Sequence, residues 1–271
     1  METFVGHLLP GLGFSGVGLW HLYNHSNLHL INPSSYRSSA WFPTPKARYL
    51  ELLLIALGSS ASVSLELFLR PADERVLDPD GSVSGKHLHN FEHASISASL
   101  FVYSALAVVI DRSAVPESAR SCLTQVLAAM AFGLELLVFW LHSSDHTHVE
   151  GQYHLLLQIV VFVSLLTTLL GIGHPDSFAV AFLRSWSIFF QGVWLTVMGF
   201  MLSSRELIAK GCGLQWEGPH EVVSCQDDEA LHRAKALINI QFCWFFILVT
   251  TFSVSLYLVL AKIYGQKVEY Q

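Results

Sequence analysis

Histidine and carboxylate dominate the chemistry open to this sequence. Of its 271 residues 14 are histidine, while charged residues make up only 13%. The segment KHLHNFEH brings His89, Glu92 and His93 together at spacings of three and four. Those spacings put all three on one face of a helix. The pattern H-x-x-E-H is the one named for inverted zincins. Further on, GLELLVFWLHSSDH sets Glu135 and His142 seven residues apart, again on one helical face, and Asp145 follows. EGQYHLLLQ then supplies His154, with Gln158 one turn deeper. Imidazole with carboxylate suits zinc or another first-row transition metal. The same groups also suit a structural hydrogen-bond network, or a relay for protons or substrate. A haem held by two histidines fits His93 with His154 equally well. The residues alone leave these uses open.

The elements that must position these groups follow from composition. The chain is 52% hydrophobic, with a mean hydropathy of +0.46. Its charged fraction is about half that of a soluble domain, too little to cover a water-exposed surface. A net charge of −6 also speaks against nucleic acid as a partner. Membrane lipids are the expected surroundings. A bilayer core takes ~20 apolar residues per helix, and seven stretches qualify: residues 4–23, 49–69, 89–110, 121–142, 154–173, 185–202 and 236–261. They are continuous rather than alternating, which selects helices over a barrel. The expected fold is therefore all-α, a single polytopic bundle of seven transmembrane helices over residues 1–271. The first stretch has no basic flank, so it reads as a retained helix rather than a cleaved signal. Its glycines at 6, 11, 13, 16 and 18 predict close helix packing.

On this map the third, fourth and fifth helices bring their polar ends to the membrane side of the N-terminus. His93, His142 and His154 are expected to meet there in one site, with His89 and Glu92 beside it and Asp145 at its rim. Glu135 lies ~10 Å deeper at the helical rise. His146, His148 and Glu150 read as solvated loop residues. A second group, His21, His25 and His29 with Glu51, Trp20, Tyr23 and Trp41, reads as an aromatic and polar belt at the opposite interface.

Orientation follows from the first helix. No basic residue precedes it, and Arg37, Lys46 and Arg48 follow it, so the N-terminus is expected outside or in the lumen and the C-terminus in the cytosol. On the outer side, Cys212 and Cys225 share the last long loop, where an oxidising compartment allows a disulfide.

Taken together, GHLLPGLGF, GLWHL, HNFEHASIS, ELLVFWLHSSDHTHVEGQYHLLLQ and VSLLTTLLGI resemble the transmembrane protein 45 family in its plant branch, a domain of unknown function. The resemblance covers nearly the whole chain. It implies a multi-pass protein of the secretory pathway, in the Golgi or plasma membrane, with no established activity. Relatives described in connection with virus infection or stress imply a loose association with defence. The histidine-rich seven-helix layout also invites comparison with metal-dependent intramembrane hydrolases acting on lipids, of the ceramidase and adiponectin-receptor type. Those carry a zinc-binding histidine in the last helix. Here that helix offers Asn239, Gln241 and Tyr257, with His232 only at its entrance.

Overall fold

The computed structural model describes residues 2–69, 80–83, 88–145, 149–217 and 220–269. Among the described residues seven α-helices run in order: α1 Glu2–Ile31, α2 Leu50–Ser64, α3 Leu88–Arg112, α4 Glu117–Asp145, α5 Val149–Gly173, α6 Phe178–Ser203 and α7 Asp228–Glu269. A π-helical turn, Leu65–Leu69, continues α2. Six helices contain their predicted apolar stretches, most extending past them at both ends, and α2 with its π-helical turn covers all but the first residue of the stretch 49–69. The reason is physical: hydrocarbon thickness limits the apolar run, but a helix continues into polar flanks wherever capping and packing allow. Two short strands, β1 Cys212–Glu217 and β2 His220–Cys225, pair antiparallel between α6 and α7.

Among the described residues, six helices are long and apolar enough to cross a membrane, all but α1. Their surfaces are dressed with exposed large apolar side chains, such as Leu57, Met130, Phe162 and Trp244. A water-soluble protein does not expose apolar surface on that scale. The chain is an integral membrane protein.

The chain divides into two compact units, residues 1–38 with 139–271, and residues 39–138. In the second unit, α2 packs on α3 around Trp41, Leu52, Tyr103 and Ala107. In the first unit, α6 is the centre, packed on α1, α5 and α7. It is the least apolar of the six spans, with mean hydropathy 1.4, yet 67% of its apolar window is buried inside the protein. By contrast α7, at 2.1, is only 17% buried. The difference is what a bilayer dictates. Polar side chains are costly against lipid, so the helix that carries Arg184, Ser185, Ser187 and Gln191 occupies the interior. Ser187 accepts a hydrogen bond at 2.9 Å from Ser164 of α5. Apolar packing around Leu22, Val160, Trp186, Phe190 and Val249 fills the rest.

Glycine sets how closely α1 approaches α6. Gly11 and Gly18 of α1 are seven residues apart, as are Gly192 and Gly199 of α6. A Cβ added to Gly11 would lie 2.8 Å from the Thr196 backbone nitrogen, and one added to Gly192 would lie 2.6 Å from the Gly11 carbonyl oxygen. A Cβ on Gly18 would overlap the Phe189 backbone. Small residues that let backbones touch are the usual device for helix association in lipid. Gly13 and Gly16, by contrast, have open space where a Cβ would be.

Candidate metal centre

The antiparallel α1–α6 seam carries His7 into the first unit near the start of α1. Gly199 makes room for it, since a Cβ there would sit 3.2 Å from the His7 Cβ. His7 is 7% exposed. From the other side, α5 begins at Val149, so Glu150 falls in its first turn and His154 one turn further on the same face. The Trp194 indole of α6 donates to the Tyr153 carbonyl at 3.1 Å, which docks this part of α5 onto α6. The result is a triad. One ligand atom from each of His7, Glu150 and His154 lies within 4.8 Å of the other two. His154 is 1% exposed, its ring 5.8 Å from that of His7 and 5.6 Å from that of Phe139.

Tautomer geometry favours coordination. His154 Nδ1 lies 3.1 Å from the Glu150 carbonyl oxygen. A carbonyl only accepts, so Nδ1 carries a proton, and in the neutral ring Nε2 presents the lone pair. A carbonyl on the far nitrogen commonly orients the ring of a metal-bound histidine. Two imidazoles and a carboxylate form a donor set suited to zinc. Beneath the triad, Gln158 donates to the Phe139 carbonyl at 3.0 Å.

Glu150 therefore corrects the sequence expectation. It is not a solvated loop residue but half-buried in the first turn of α5. The loop reading failed because it ended the helix where the apolar run ends. His7 lies inside the first apolar stretch with no acid at helical spacing to mark it. The signal that points to it is the matched seven-residue glycine spacing on α1 and α6, which pairs two segments far apart in sequence.

The other expected ligands fall as follows. His93 belongs to the second unit, where its Nδ1 lies 3.8 Å from Glu66 on the π-helical turn. Asn90 donates to the same carboxylate at 2.9 Å. Glu92 is half-buried on α3, and Glu135 is 2% exposed on α4. The side chains of His89, His142 and Asp145 lie outside the described residues, as do His146 and His148 altogether. Cys212 and Cys225 are joined by a disulfide across the first register pair of the hairpin. Gly211, at φ 92°, supplies the left-handed backbone that leads into it.

At the far end of α1 the structure corrects the interfacial-belt reading. His25 is fully buried and His21 only 3% exposed. His25 Nε2 lies 3.2 Å from an Arg184 nitrogen and its Nδ1 lies 2.9 Å from the Tyr36 hydroxyl. A guanidinium only donates. Nε2 therefore accepts, His25 is neutral, and Nδ1 donates to Tyr36. Burial pushes the Tyr36 phenol well above its ordinary range, so it stays protonated at neutral pH. His29 stacks on Phe178 at 4.1 Å and meets the Tyr257 hydroxyl at 3.0 Å. These histidines are core pieces that join α1, α6 and α7.

A family model described as "Family of unknown function (DUF716)" matches residues 121–258, about half of the chain and its α4 to α7. The chain belongs to this family. It is also similar to transmembrane epididymal protein 1A of Mus musculus, with 24% identity over 219 residues, covering 74% of this chain and 68% of that protein. The family is the one expected from the sequence motifs, and it has no established activity. His154 and Glu150 lie inside the matched region, whereas His7 lies outside it.

Proposed function

We propose that this protein is a seven-helix transmembrane protein of the secretory pathway, in the Golgi or plasma membrane, that holds a divalent metal ion at one membrane face. The single observation that carries the reading is the convergence of buried His7 and His154 with Glu150. Zinc is the ion best matched to this donor set. In this reading α1 is the seventh span. Its 30 residues reach ~45 Å. It runs antiparallel along α6, from Gly199 beside His7 to Arg184 beside His25. Its outer face carries exposed Leu9, Leu12, Leu28 and Ile31. Its modest hydropathy reflects the histidines and glycines it turns toward α6.

The test is elemental analysis of protein purified in mild detergent without added chelator. About one zinc per chain is expected, falling several-fold in His154→Ala and in His7→Ala. Wild-type protein that takes up no zinc even after dialysis against it would reject the reading.

A second reading, a metal-dependent hydrolase acting on a lipid, is favoured by the donor set itself. Two histidines and one glutamate are the protein ligands of well-known hydrolytic zinc sites, with water in the fourth position. Zinc-dependent release of fatty acid from bilayer lipid would support it. Metal bound without such release leaves the binding role alone.

A further inference from the structure

We infer that the second unit binds the headgroup of an anionic phospholipid at the membrane face opposite Glu66, through Arg48, Arg112 and Arg120. Three spans begin or end at this face: α2 from Leu50, α3 up to Arg112 and α4 from Glu117. Phospholipid phosphates lie at that level of any transmembrane helix. The guanidiniums are gathered there by one carboxylate and two aromatic rings. Arg48 donates to both oxygens of Asp111, at 3.0 and 3.2 Å. Arg120 donates to the Asp111 carbonyl at 3.2 Å and lies 3.8 Å from its carboxylate. The Arg48 guanidinium sits 5.8 Å from the ring centroids of Trp41 and Tyr49, and that of Arg112 lies 5.1 Å from Tyr49. The Tyr49 hydroxyl completes the cluster with a 2.8 Å bond to Asp111.

The charge does not balance. Two guanidiniums face the single Asp111 carboxylate and the third, Arg112, lies over Tyr49, which leaves the cluster an excess of two positive charges. Arg112 is exposed and has no carboxylate within ion-pair distance among the described residues. Glu117 and Lys46, both exposed nearby in sequence, join no ion pair either among the described residues. Arg48 keeps 58% of its side chain exposed although both rings and Asp111 hold it. Such a guanidinium is pre-ordered, so little further entropy is lost when its remaining N–H groups take a phosphate oxygen. Trp41 and Tyr49 are the residue types that settle at the headgroup level. A monoanionic lipid neutralises half of the excess, and a more highly charged one all of it. If the C-terminal side is cytosolic, this cluster faces the leaflet that carries the anionic lipids.

The experiment uses the full chain in nanodiscs of phosphatidylcholine alone, or with one fifth phosphatidylserine or phosphatidic acid, followed by native mass spectrometry of the released protein. Wild type is expected to retain anionic lipid several-fold above its share of the bilayer. The Arg48→Gln/Arg112→Gln variant, which keeps Arg120 and Asp111 paired, is expected to lose that enrichment while melting within a few degrees of wild type. If that variant fails to fold, Arg112→Gln alone, which removes no ion pair, serves in its place and is expected to halve the enrichment or more. A third arm adds millimolar inorganic phosphate to the discs that contain anionic lipid. Competition that abolishes lipid retention would reassign the cluster to a free-anion site and overturn the proposal. So would equal retention of anionic lipid by wild type and variants. None of these readouts involves the histidine triad, so failure here leaves the metal reading untouched.

Discussion

Substituting alanine for glycine along α1 and α6 is predicted to change sign with position. At Gly192 a new Cβ would meet Ser15 and lie 2.6 Å from the Gly11 carbonyl oxygen. At Gly18 it would overlap the Phe189 backbone. Backbone atoms on a packed helix cannot rotate away as a side-chain tip can, so α1 and α6 must separate. Overpacking of that kind costs ~1–3 kcal/mol or more, and the helical preference of alanine returns only about 1 kcal/mol. Gly192→Ala and Gly18→Ala are therefore expected to destabilise by up to ~2 kcal/mol net, as much as a few degrees in melting temperature for a chain of this size. At Gly13 and Gly16 nothing lies within 4 Å of the new Cβ. There the same substitution is expected to be neutral, or stabilising by up to about 1 kcal/mol. The assay is the loss of monodisperse protein on heating in one detergent at one scan rate, since unfolding of membrane proteins is often irreversible and only the ranking carries meaning. Gly192→Ala melting at or above Gly13→Ala would refute the seam. Because the seam also delivers His7, zinc retention is expected to fall with stability in Gly192→Ala but not in Gly16→Ala.

Other outcomes follow from the same contacts. Cys212→Ser or Cys225→Ser opens the hairpin, and by chain entropy a loop of this length is worth ~3 kcal/mol of local stability; in wild type, maleimide should label both thiols only after reduction. His25→Phe removes the acceptor for Arg184 and the donor to Tyr36, at a cost of about 1–3 kcal/mol, whereas His29→Phe keeps the stack on Phe178 and should cost less in the same melt. A tag on the C-terminus is expected to be reached from the cytosol and one on the N-terminus from the lumen or outside; protease protection of sealed vesicles reads this, and a C-terminal tag cut only from the lumenal side would reverse the orientation. Glu150→Gln keeps the size of the side chain and loses its charge, so zinc should bind more weakly while the melting temperature of metal-free protein stays near that of wild type.

Much of this was legible in the sequence, for identifiable reasons. Apolar length is a local property, so the seven helices could be read directly, and His154 stands out as an imidazole at the polar edge of the uncharged stretch 154–173. The disulfide partners Cys212 and Cys225 lie 13 residues apart on one connection, where close approach is also local. The partners of His154 were less accessible. Glu150 was hidden because the apolar run starts after it, although the helix does not. His7 requires the register of α1 on α6, which rests on glycines that contribute nothing to a hydropathy profile. The burial of His25 depends on Arg184, 159 residues away. Amphipathicity gives little help with such contacts in lipid, because the outer face of a membrane helix is as apolar as its core.

The most direct test of the metal centre is zinc K-edge X-ray absorption on the purified wild-type protein. The donors predict a nitrogen and oxygen first shell with two imidazoles at ~2.0–2.1 Å, and loss of one imidazole contribution in His7→Ala. A spectrum with sulfur neighbours, one with no imidazole scattering, or one unchanged by removal of His7 would contradict the account.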